Sequence, residues 1–135
     1  MLAFKDVGPK LGVFETVMMM CNNFGLFGSA TGARRLLRRL ALITSEEARI
    51  VAGSRDPYGT DNSDHLAYHE QNRKQGRMSG QLRLRTRHGL YVGRWFDYLL
   101  ASPDEMRELA ASGGWQVERL LEDDDSYYVG ILRKR

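Results

Sequence analysis

The first regular pattern along the chain is an apolar run followed by an amphipathic segment. Residues 13–21, VFETVMMMC, are nearly continuous in apolar side chains, which predicts a central strand buried on both faces, although a short helix also fits. Gly25 and Gly28 interrupt the run. In residues 33–42, ARRLLRRLAL, the leucines fall on one helical face and the arginines largely on another, which predicts a helix that covers a sheet.

A second short apolar strand follows this helix. After the turn-like residues TSEE, residues 48–54, ARIVAGS, are apolar enough for a buried strand. A strand, a helix and a strand at this spacing form a βαβ unit, so the two strands are expected to be parallel, with a right-handed crossover. This arrangement favours a strand over a helix for residues 13–21.

The second half of the chain changes character several times. Residues 55–80 are polar and rich in turn formers, with one helix predicted around residues 65–75, and the whole region 56–100 resembles a segment inserted on the substrate side of the sheet. Residues 80–100 predict a hairpin with His88 and Gly89 at its turn. Residues 102–114 predict a helix with a capping box, and residues 115–135 predict two antiparallel strands joined at residues 123–125.

Composition narrows the class of protein. The 135 residues suit a single α/β domain, and the one cysteine, Cys21, excludes a disulfide framework and a cysteine-based zinc site. No apolar run approaches the roughly 20 residues that span a bilayer, and residues 1–10 lack the features of a signal peptide, so a cytoplasmic protein is expected.

The net charge of +3 is spread along the chain, about +1 over residues 1–67 and +2 over the remainder. This distribution does not imply a nucleic-acid partner, and without a run of apolar residues long enough to span a bilayer no membrane partner is expected either. Arg83, Arg85 and Arg87 alternate with other residues, as on the wet face of an antiparallel strand, and that interpretation is favoured over a phosphate-binding stripe.

Polar residues follow both predicted parallel strands, where ligands bind in open α/β sheets. Asn22 and Asn23 come after the first strand, while Arg55, Asp56 and Tyr58 come after the second. They are predicted to face a cleft, although asparagine and an Asp-Pro step are also ordinary turn formers. The methionines of the run, Met18 to Met20, are interpreted as core filler.

Two histidines and an aromatic group are further candidates. His65 and His69 would share one face of a helix, where they could bind substrate, transfer a proton, bind a metal with Asp61 or Asp64, or simply face solvent. No third ligand has diagnostic spacing, so no metal is predicted. Trp95, with Phe96 and Tyr98, could form an aromatic wall of a substrate pocket or part of the core.

The order of the motifs FETVMMMCNNFG, ARRLLRRLALIT, ARIVAGSRDPY and SPDEMRELAASGGW, closed by a hairpin, resembles the later half of a class I S-adenosylmethionine-dependent methyltransferase. The resemblance implies a partial Rossmann-like sheet, with a parallel βαβ unit followed by an antiparallel terminal hairpin. The family's glycine-rich cofactor loop and the acidic residue after its second strand have no counterpart, so the chain resembles a fold that starts about midway. NNFG also lacks the prolines of many amino-methylating members.

The resemblance implies a methyltransferase that uses S-adenosylmethionine on an unknown small molecule, in a fragment inactive alone. Its implied site residues fall into three groups: Asn22, Asn23 and Gly25 for the cofactor; Arg55, Asp56 and Trp95 for the substrate; and Tyr58, His65 and His69 as orienters or base. The chain is expected to form a homodimer or to need a missing amino-terminal half. The alternatives are a non-catalytic binding or dimerisation module and a metal-dependent enzyme built around His65 and His69.

Overall fold

The computed structural model describes residues 6–122 and 125–135, and its first half is a strand, a helix and a strand. Strand β1 spans Phe14–Met19, helix α1 spans Ala30–Leu42 and strand β2 spans Thr44–Arg55. A 3-10 turn, Asn23–Phe27, lies between β1 and α1. The two strands pair in parallel, with Val17 opposite Ile50, which confirms the predicted βαβ unit.

The residues TSEE, interpreted from sequence as a turn, belong instead to β2. Thr44 lies opposite Phe14 in the ladder, and its hydroxyl donates a hydrogen bond of 2.7 Å to the backbone oxygen of Leu40. This bond satisfies a backbone carbonyl in the last turn of α1. Only Ile43 therefore separates α1 from β2. The predicted turn is therefore wrong.

The last two strands complete a four-stranded sheet. Strand β7 spans Trp115–Glu122 and strand β8 spans Tyr127–Lys134. The order across the sheet is β1-β2-β8-β7, with β8 antiparallel to both of its neighbours, as the predicted terminal hairpin requires. The predicted junction at residues 123–125 falls partly outside the described residues.

Helices α1 and α3 cover one face of this sheet. Helix α3, Pro103–Ser112, begins with the predicted capping box between Ser102 and Glu105. The buried core joins Leu37 of α1 and Met106 of α3 to Ile50 and to further sheet residues, Ala52, Trp115 and Leu132. The indole nitrogen of Trp115 donates a 2.9 Å hydrogen bond to the backbone oxygen of Leu37, which ties α1 to the start of β7.

The opposite face of the sheet is open, which corrects the expectation that residues 13–21 are buried on both faces. Met19 is buried under the helices, whereas Met18 is 61% exposed and lies in one row with the half-buried Val51 and Ile131. Among the described residues β1 pairs only with β2, so it is an edge strand. An apolar strand in this position leaves both a side-chain row and a backbone edge in contact with water.

The polar segment folds as a helix followed by a long hairpin, as predicted. Helix α2 spans Ser63–Lys74 and begins at Asn62, whose side chain accepts hydrogen bonds from two backbone nitrogens. The hairpin consists of β3 (Gln81–Leu84), β4 (Arg87–His88), β5 (Tyr91–Val92) and β6 (Phe96–Leu99). His88 pairs with Tyr91, so Gly89 and Leu90 form the turn, one residue later than the predicted His88 and Gly89, because the ladder includes His88. None of the described helices is long and apolar enough to cross a membrane.

Candidate functional site

The parallel pairing of β1 and β2 brings their carboxyl ends to one edge of the sheet. Three polar or small residues follow β1: Cys21, Asn22 and Asn23. Strand β2 ends at Arg55, and Asp56 is the next residue. The two ends touch, because a Cβ atom on Gly53 would stand 3.3 Å from the backbone nitrogen of Asn22. We call this edge the rim.

Asn22 is held at the rim in an unusual conformation. Cys21 and Asn22 both have positive φ angles, 55° and 66°, a region that asparagine tolerates better than most residues. The Tyr98 hydroxyl donates a 2.5 Å hydrogen bond to the backbone oxygen of Asn22. The side-chain oxygen Oδ1 of Asn22 is buried and has no hydrogen-bond partner within residues 6–122 and 125–135. A buried acceptor without a partner is costly, and such strained polar sites cluster where ligands bind.

Asn23 and Gly25 take different places. Asn23 is exposed and starts the 3-10 turn. Gly25 is buried, and a Cβ atom there would stand 2.5 Å from the Tyr98 ring and 2.9 Å from the backbone oxygen of Leu99. The missing side chain therefore makes room for strand β6 on that side.

A cleft of about 650 Å³ opens beside the rim, between the end of β2, helix α2 and strand β3. Tyr98 is opposite Leu82 in the β3–β6 ladder, so the hairpin connects Asn22 to the wall of this cleft. The polar residues that line the cleft are Arg55, Asp56, Thr60, Asp64, His65, Tyr68, His69, Arg83 and Ser126. The cleft thus gathers four of the predicted site residues, Arg55, Asp56, His65 and His69.

His69 is the most buried ionisable group of the cleft, with 6% of its surface exposed. Burial lowers the pKa of His69, and the charges of Arg73 and His65 lower it further, while Glu105 raises it. No side chain of the described residues hydrogen-bonds with its ring. His69 is therefore neutral at pH 7, with a nitrogen free to accept a proton. His65 is exposed and hydrogen-bonds through Nδ1 with the Thr60 hydroxyl at 3.0 Å.

The charged groups of the cleft differ in how they are engaged. Arg55 is exposed and contacts no carboxylate among the described residues. Arg83 lies 3.5 Å from Asp97, a long ion pair. Asp56 accepts a 2.9 Å hydrogen bond from the backbone nitrogen of Tyr58, which uses one carboxylate oxygen in a turn. Arg55 is therefore the cation best placed to bind an anionic group.

Tyr58 and Trp95 lie outside the lining of the cleft. The Tyr58 hydroxyl donates a 2.8 Å hydrogen bond to Glu105, and its ring packs edge-on against His69 at 5.9 Å between centroids. Burial is the main cause that raises the pKa of Tyr58. Trp95 is exposed on the hairpin, where the Arg85 guanidinium stacks over its ring at 4.7 Å.

Sequence reasoning missed the supporting contacts of the site. Tyr98 was predicted only as part of an aromatic wall, and its hydrogen bond to Asn22 joins residues 76 positions apart. Glu105 was recognised as a capping residue, yet its second carboxylate oxygen also holds Tyr58. Within the described residues, no group of three or more histidine, cysteine or carboxylate side chains is arranged to hold a metal ion.

Comparison with solved structures identifies the fold. A methyltransferase from Bacteroides fragilis, solved with S-adenosyl-L-homocysteine, superposes on 91% of this chain with a TM-score of 0.72 and 20% identity. The fold is that of the S-adenosylmethionine-dependent methyltransferases. The CcbJ methyltransferase from Streptomyces caelestis matches 92% of the chain with a TM-score of 0.64 and 11% identity. A methyltransferase from Methanosarcina mazei matches 90% with a TM-score of 0.61 and 12% identity.

The methyltransferase likeness covers only part of each solved structure. The chain spans 49% of the Bacteroides protein, 62% of CcbJ and 59% of the Methanosarcina protein. No protein-family model and no curated protein matches the chain. The predicted fold, a partial methyltransferase sheet with a parallel βαβ unit and an antiparallel terminal hairpin, is confirmed.

Proposed function

We propose that this chain is part of a methyltransferase that binds S-adenosylmethionine at the rim and a small-molecule substrate in the adjacent cleft. The observation that carries the proposal is the buried Asn22 Oδ1, which has no partner among the described residues. It lies beyond the carboxyl end of a parallel strand, where ligands bind in open α/β sheets. An N–H group of a bound ligand would satisfy this oxygen.

The residues present fit one part of the cofactor. Asn22 offers a buried amide acceptor, and exposed Asn23 lies next to it. Gly25 leaves no room for a ligand on the side that Tyr98 fills. The rim would therefore supply polar contacts to an N–H-bearing group of the cofactor.

The cleft residues suit a substrate that loses a proton as it reacts. S-adenosylmethionine supplies a sulfonium methyl group when bound. Neutral His69 is placed to accept a proton from the attacking group of the substrate, with His65 four residues away on the same helix face. Arg55, which has no carboxylate partner, would hold an anionic group of the substrate and orient it.

Titration of the 15N-labelled chain with S-adenosyl-L-homocysteine tests the rim. We expect the side-chain amide of Asn22 and the backbone amide of Gly53 to shift, because they are adjacent, while the side-chain amide of Asn62 at the start of α2 stays unchanged. Shifts confined to other faces, or no shift at millimolar ligand, would contradict a cofactor site at Asn22.

Affinity and activity of the isolated chain are expected to be low. Each missing charge-assisted hydrogen bond to the cofactor costs about 1.5–3 kcal/mol, so losing two of them takes a micromolar affinity into roughly the millimolar range that the titration covers. We expect no measurable turnover from these 135 residues alone, and recovery when a segment with a glycine-rich cofactor loop is added. Micromolar cofactor binding by the chain alone, measured by calorimetry, would show that the rim suffices.

The alternative is a non-catalytic binding or dimerisation module that keeps half of the methyltransferase fold. The open apolar face with Met18, Val51 and Ile131 favours it, since such a face suits a protein partner. The two functions are distinguished by the titration above, because a binding module would leave the Asn22 amide unshifted while the chain still associates.

A further inference from the structure

The hairpin of residues 81–99 projects from the body of the protein. Its base is anchored by Leu99, which is fully buried, and by the hydrogen bond from Tyr98 to Asn22. Beyond the base, every residue from 83 to 92 is exposed. We call residues 81–99 the arm and Leu90–Val92 its apex.

The arm accounts for the whole net charge of the chain. It carries four arginines, at positions 83, 85, 87 and 94, against one acid, Asp97, which gives 4 − 1 = +3. The rest of the chain has 20 − 4 = 16 basic and 17 − 1 = 16 acidic residues and is neutral. The expectation of a dispersed charge is thereby corrected: dividing the chain into halves hid a concentration within 19 residues.

The arginines nearest the apex are not neutralised within the chain. Arg83 faces Asp97 and Arg85 stacks on Trp95. Among the described residues Arg87 and Arg94 contact no carboxylate. The segment RLRTRHGLYVGRWF contains no acidic residue.

The apex itself is apolar and lies in water. Leu90 is fully exposed and Tyr91 is 84% exposed, and Val92 is exposed beside them. Turns of soluble hairpins are normally polar, because an exposed leucine at the tip gains nothing from folding. A function in binding explains why three apolar side chains stand at the end of a projecting element.

We propose that the apex docks on an anionic phospholipid surface. Interfacial binding combines apolar groups inserted about 5–10 Å with arginines that contact acidic headgroups, and aromatic rings at the boundary. Arg87 pairs with Val92 next to the turn, and Arg94 follows two residues after Val92, so both arginines lie close behind the apex, at headgroup level when the apex is inserted. The arm has an apolar apex at its tip and arginines directly behind the apex, which is the order that interfacial binding requires.

Two other partners fit less of the arm. A nucleic acid would neutralise the arginines but leave the apolar apex in water. A second copy of the arm would bury the apex but bring two groups of arginines together, and like charges repel. A membrane surface with acidic lipids accounts for both the apex and the arginines. This proposal is independent of the methyltransferase function.

Vesicle co-sedimentation of the full chain tests the proposal. We expect binding to vesicles of equal parts phosphatidylcholine and phosphatidylserine, and at least about tenfold weaker binding to phosphatidylcholine alone. Leu90→Asp should abolish binding, and Arg87→Ala with Arg94→Ala should weaken it about fivefold per arginine. Leu90 is fully exposed, and Arg87 and Arg94 are exposed and form no ion pair or side-chain hydrogen bond within the described residues, so the fold should tolerate both variants.

Matched controls come from helix α1. Leu42→Asp changes another exposed leucine, and Arg34→Ala with Arg35→Ala removes the same charge from an exposed helix face, so neither should weaken vesicle binding. Equal losses in the α1 and arm variants would overturn the proposal, as would absence of vesicle binding. The arm would be assigned to a polyanion instead if the chain bound a single-stranded oligonucleotide more tightly than vesicles and if Leu90→Asp left that binding unchanged. Self-association lost only in Leu90→Asp would assign the apex to a second copy.

Discussion

The Asn22 residue combines two costs that a binding role would explain. Its backbone is left-handed and its buried side-chain oxygen has no partner among the described residues. Each of these features disfavours the folded state by about 1–3 kcal/mol. These costs support the proposed role of Asn22 in ligand contact.

Asn22→Gly tests this balance. Glycine adopts the left-handed conformation without strain and removes the unsatisfied oxygen, and the greater freedom of glycine in the unfolded chain offsets only part of this gain, so the free energy of unfolding should equal or exceed that of wild type. Asn22→Ala keeps the strain with a Cβ atom and should be about 1–2 kcal/mol less stable than the glycine variant. Chemical denaturation measures both. Both variants should lose the response to S-adenosyl-L-homocysteine, and a response retained in either would separate Asn22 from the ligand.

His69 should make the protein less stable in acid. Its pKa is lowered in the folded state below the ordinary value of 6.5, so the unfolded chain binds the proton more readily. The stability contributed by neutral His69 is present above pH 6.5 and is lost as the pH falls through the folded-state pKa. In His69→Gln the decline in unfolding free energy between pH 7 and pH 5 should be shallower, as measured by urea denaturation at each pH.

His88→Gln is the matched control, because His88 is exposed on the hairpin. An unchanged pH dependence in His69→Gln would show that His69 is solvated in solution and would remove the basis for its role as a neutral base.

The positions of the candidate residues could be predicted only where they follow from the sequence of strands and helices along the chain. Asn22 and Arg55 reach one rim because parallel strands end at the same edge, which the pattern of the chain already implies. Tyr58 lies outside the cleft lining because Glu105, 47 residues away, holds its hydroxyl, and Trp95 lies outside it on the arm, where Arg85 stacks on its ring. Such contacts are specified by packing between segments far apart in sequence, which periodicity does not encode. Their roles, and those of the histidines, remain predictions.

At the level of elements, the Asn72 side chain makes the buried hydrogen bonds by which helix α2 is attached to the segment that leads into the hairpin. The Asn72 amide is buried and donates to the backbone oxygens of Ser79 and Gln81 at 2.9 and 2.8 Å. Only His69 and Asn72 are buried in this helix. The α2 face of the cleft is therefore attached to the hairpin mainly through Asn72.

Asn72→Ala should detach α2 without unfolding the sheet. The variant loses one buried and one part-buried hydrogen bond, which costs about 2–4 kcal/mol locally. Amide hydrogen exchange should accelerate in residues 63–80 and remain slow in β2 and β8. Gln71→Ala, at an exposed position of the same helix, should leave exchange unchanged. A uniform acceleration throughout the protein would mean that α2 is part of the cooperative core.

The elements themselves were largely predictable because their periodicity and caps are strong. The leucine face of α1 and the capping box of α3 both appear as expected. The burial of β1 was not predictable, because an apolar run looks alike in a central strand and in an edge strand. The start of β2 was missed because TSEE has turn-forming composition, whereas tertiary pairing with Phe14 makes it a strand.

For the whole molecule, the open face of the sheet predicts association. Met18 is exposed beside Val51 and Ile131, and among the described residues the outer edge of β1 is unpaired. Light scattering at micromolar concentrations should show dimers or larger species, since an apolar edge strand is a template for pairing.

Met18→Lys should shift the chain towards monomer, because a charged side chain on the edge strand blocks pairing. Leu66→Lys, at an exposed leucine of α2, is the control and should not change the species observed. A monomer at all concentrations in the wild-type chain would contradict the prediction.

The order of the strands has a consequence for biosynthesis. Strand β8 lies between β2 and β7, although both precede it in the chain. Its pairing with β2 extends almost to the end of β8, where Arg49 pairs with Arg133. On the ribosome, β2 and β7 must therefore emerge and wait, each with an unpaired edge, until residues 127–134 leave the exit tunnel. Strand β7 directly precedes β8 and pairs with it as a local hairpin, but β2 is separated from β8 by α2, the arm and α3. Pairing over that separation is slow, so the edge of β2 is exposed to aggregation during this interval. A chaperone that shields β2 during synthesis should raise the soluble yield more than one supplied after release.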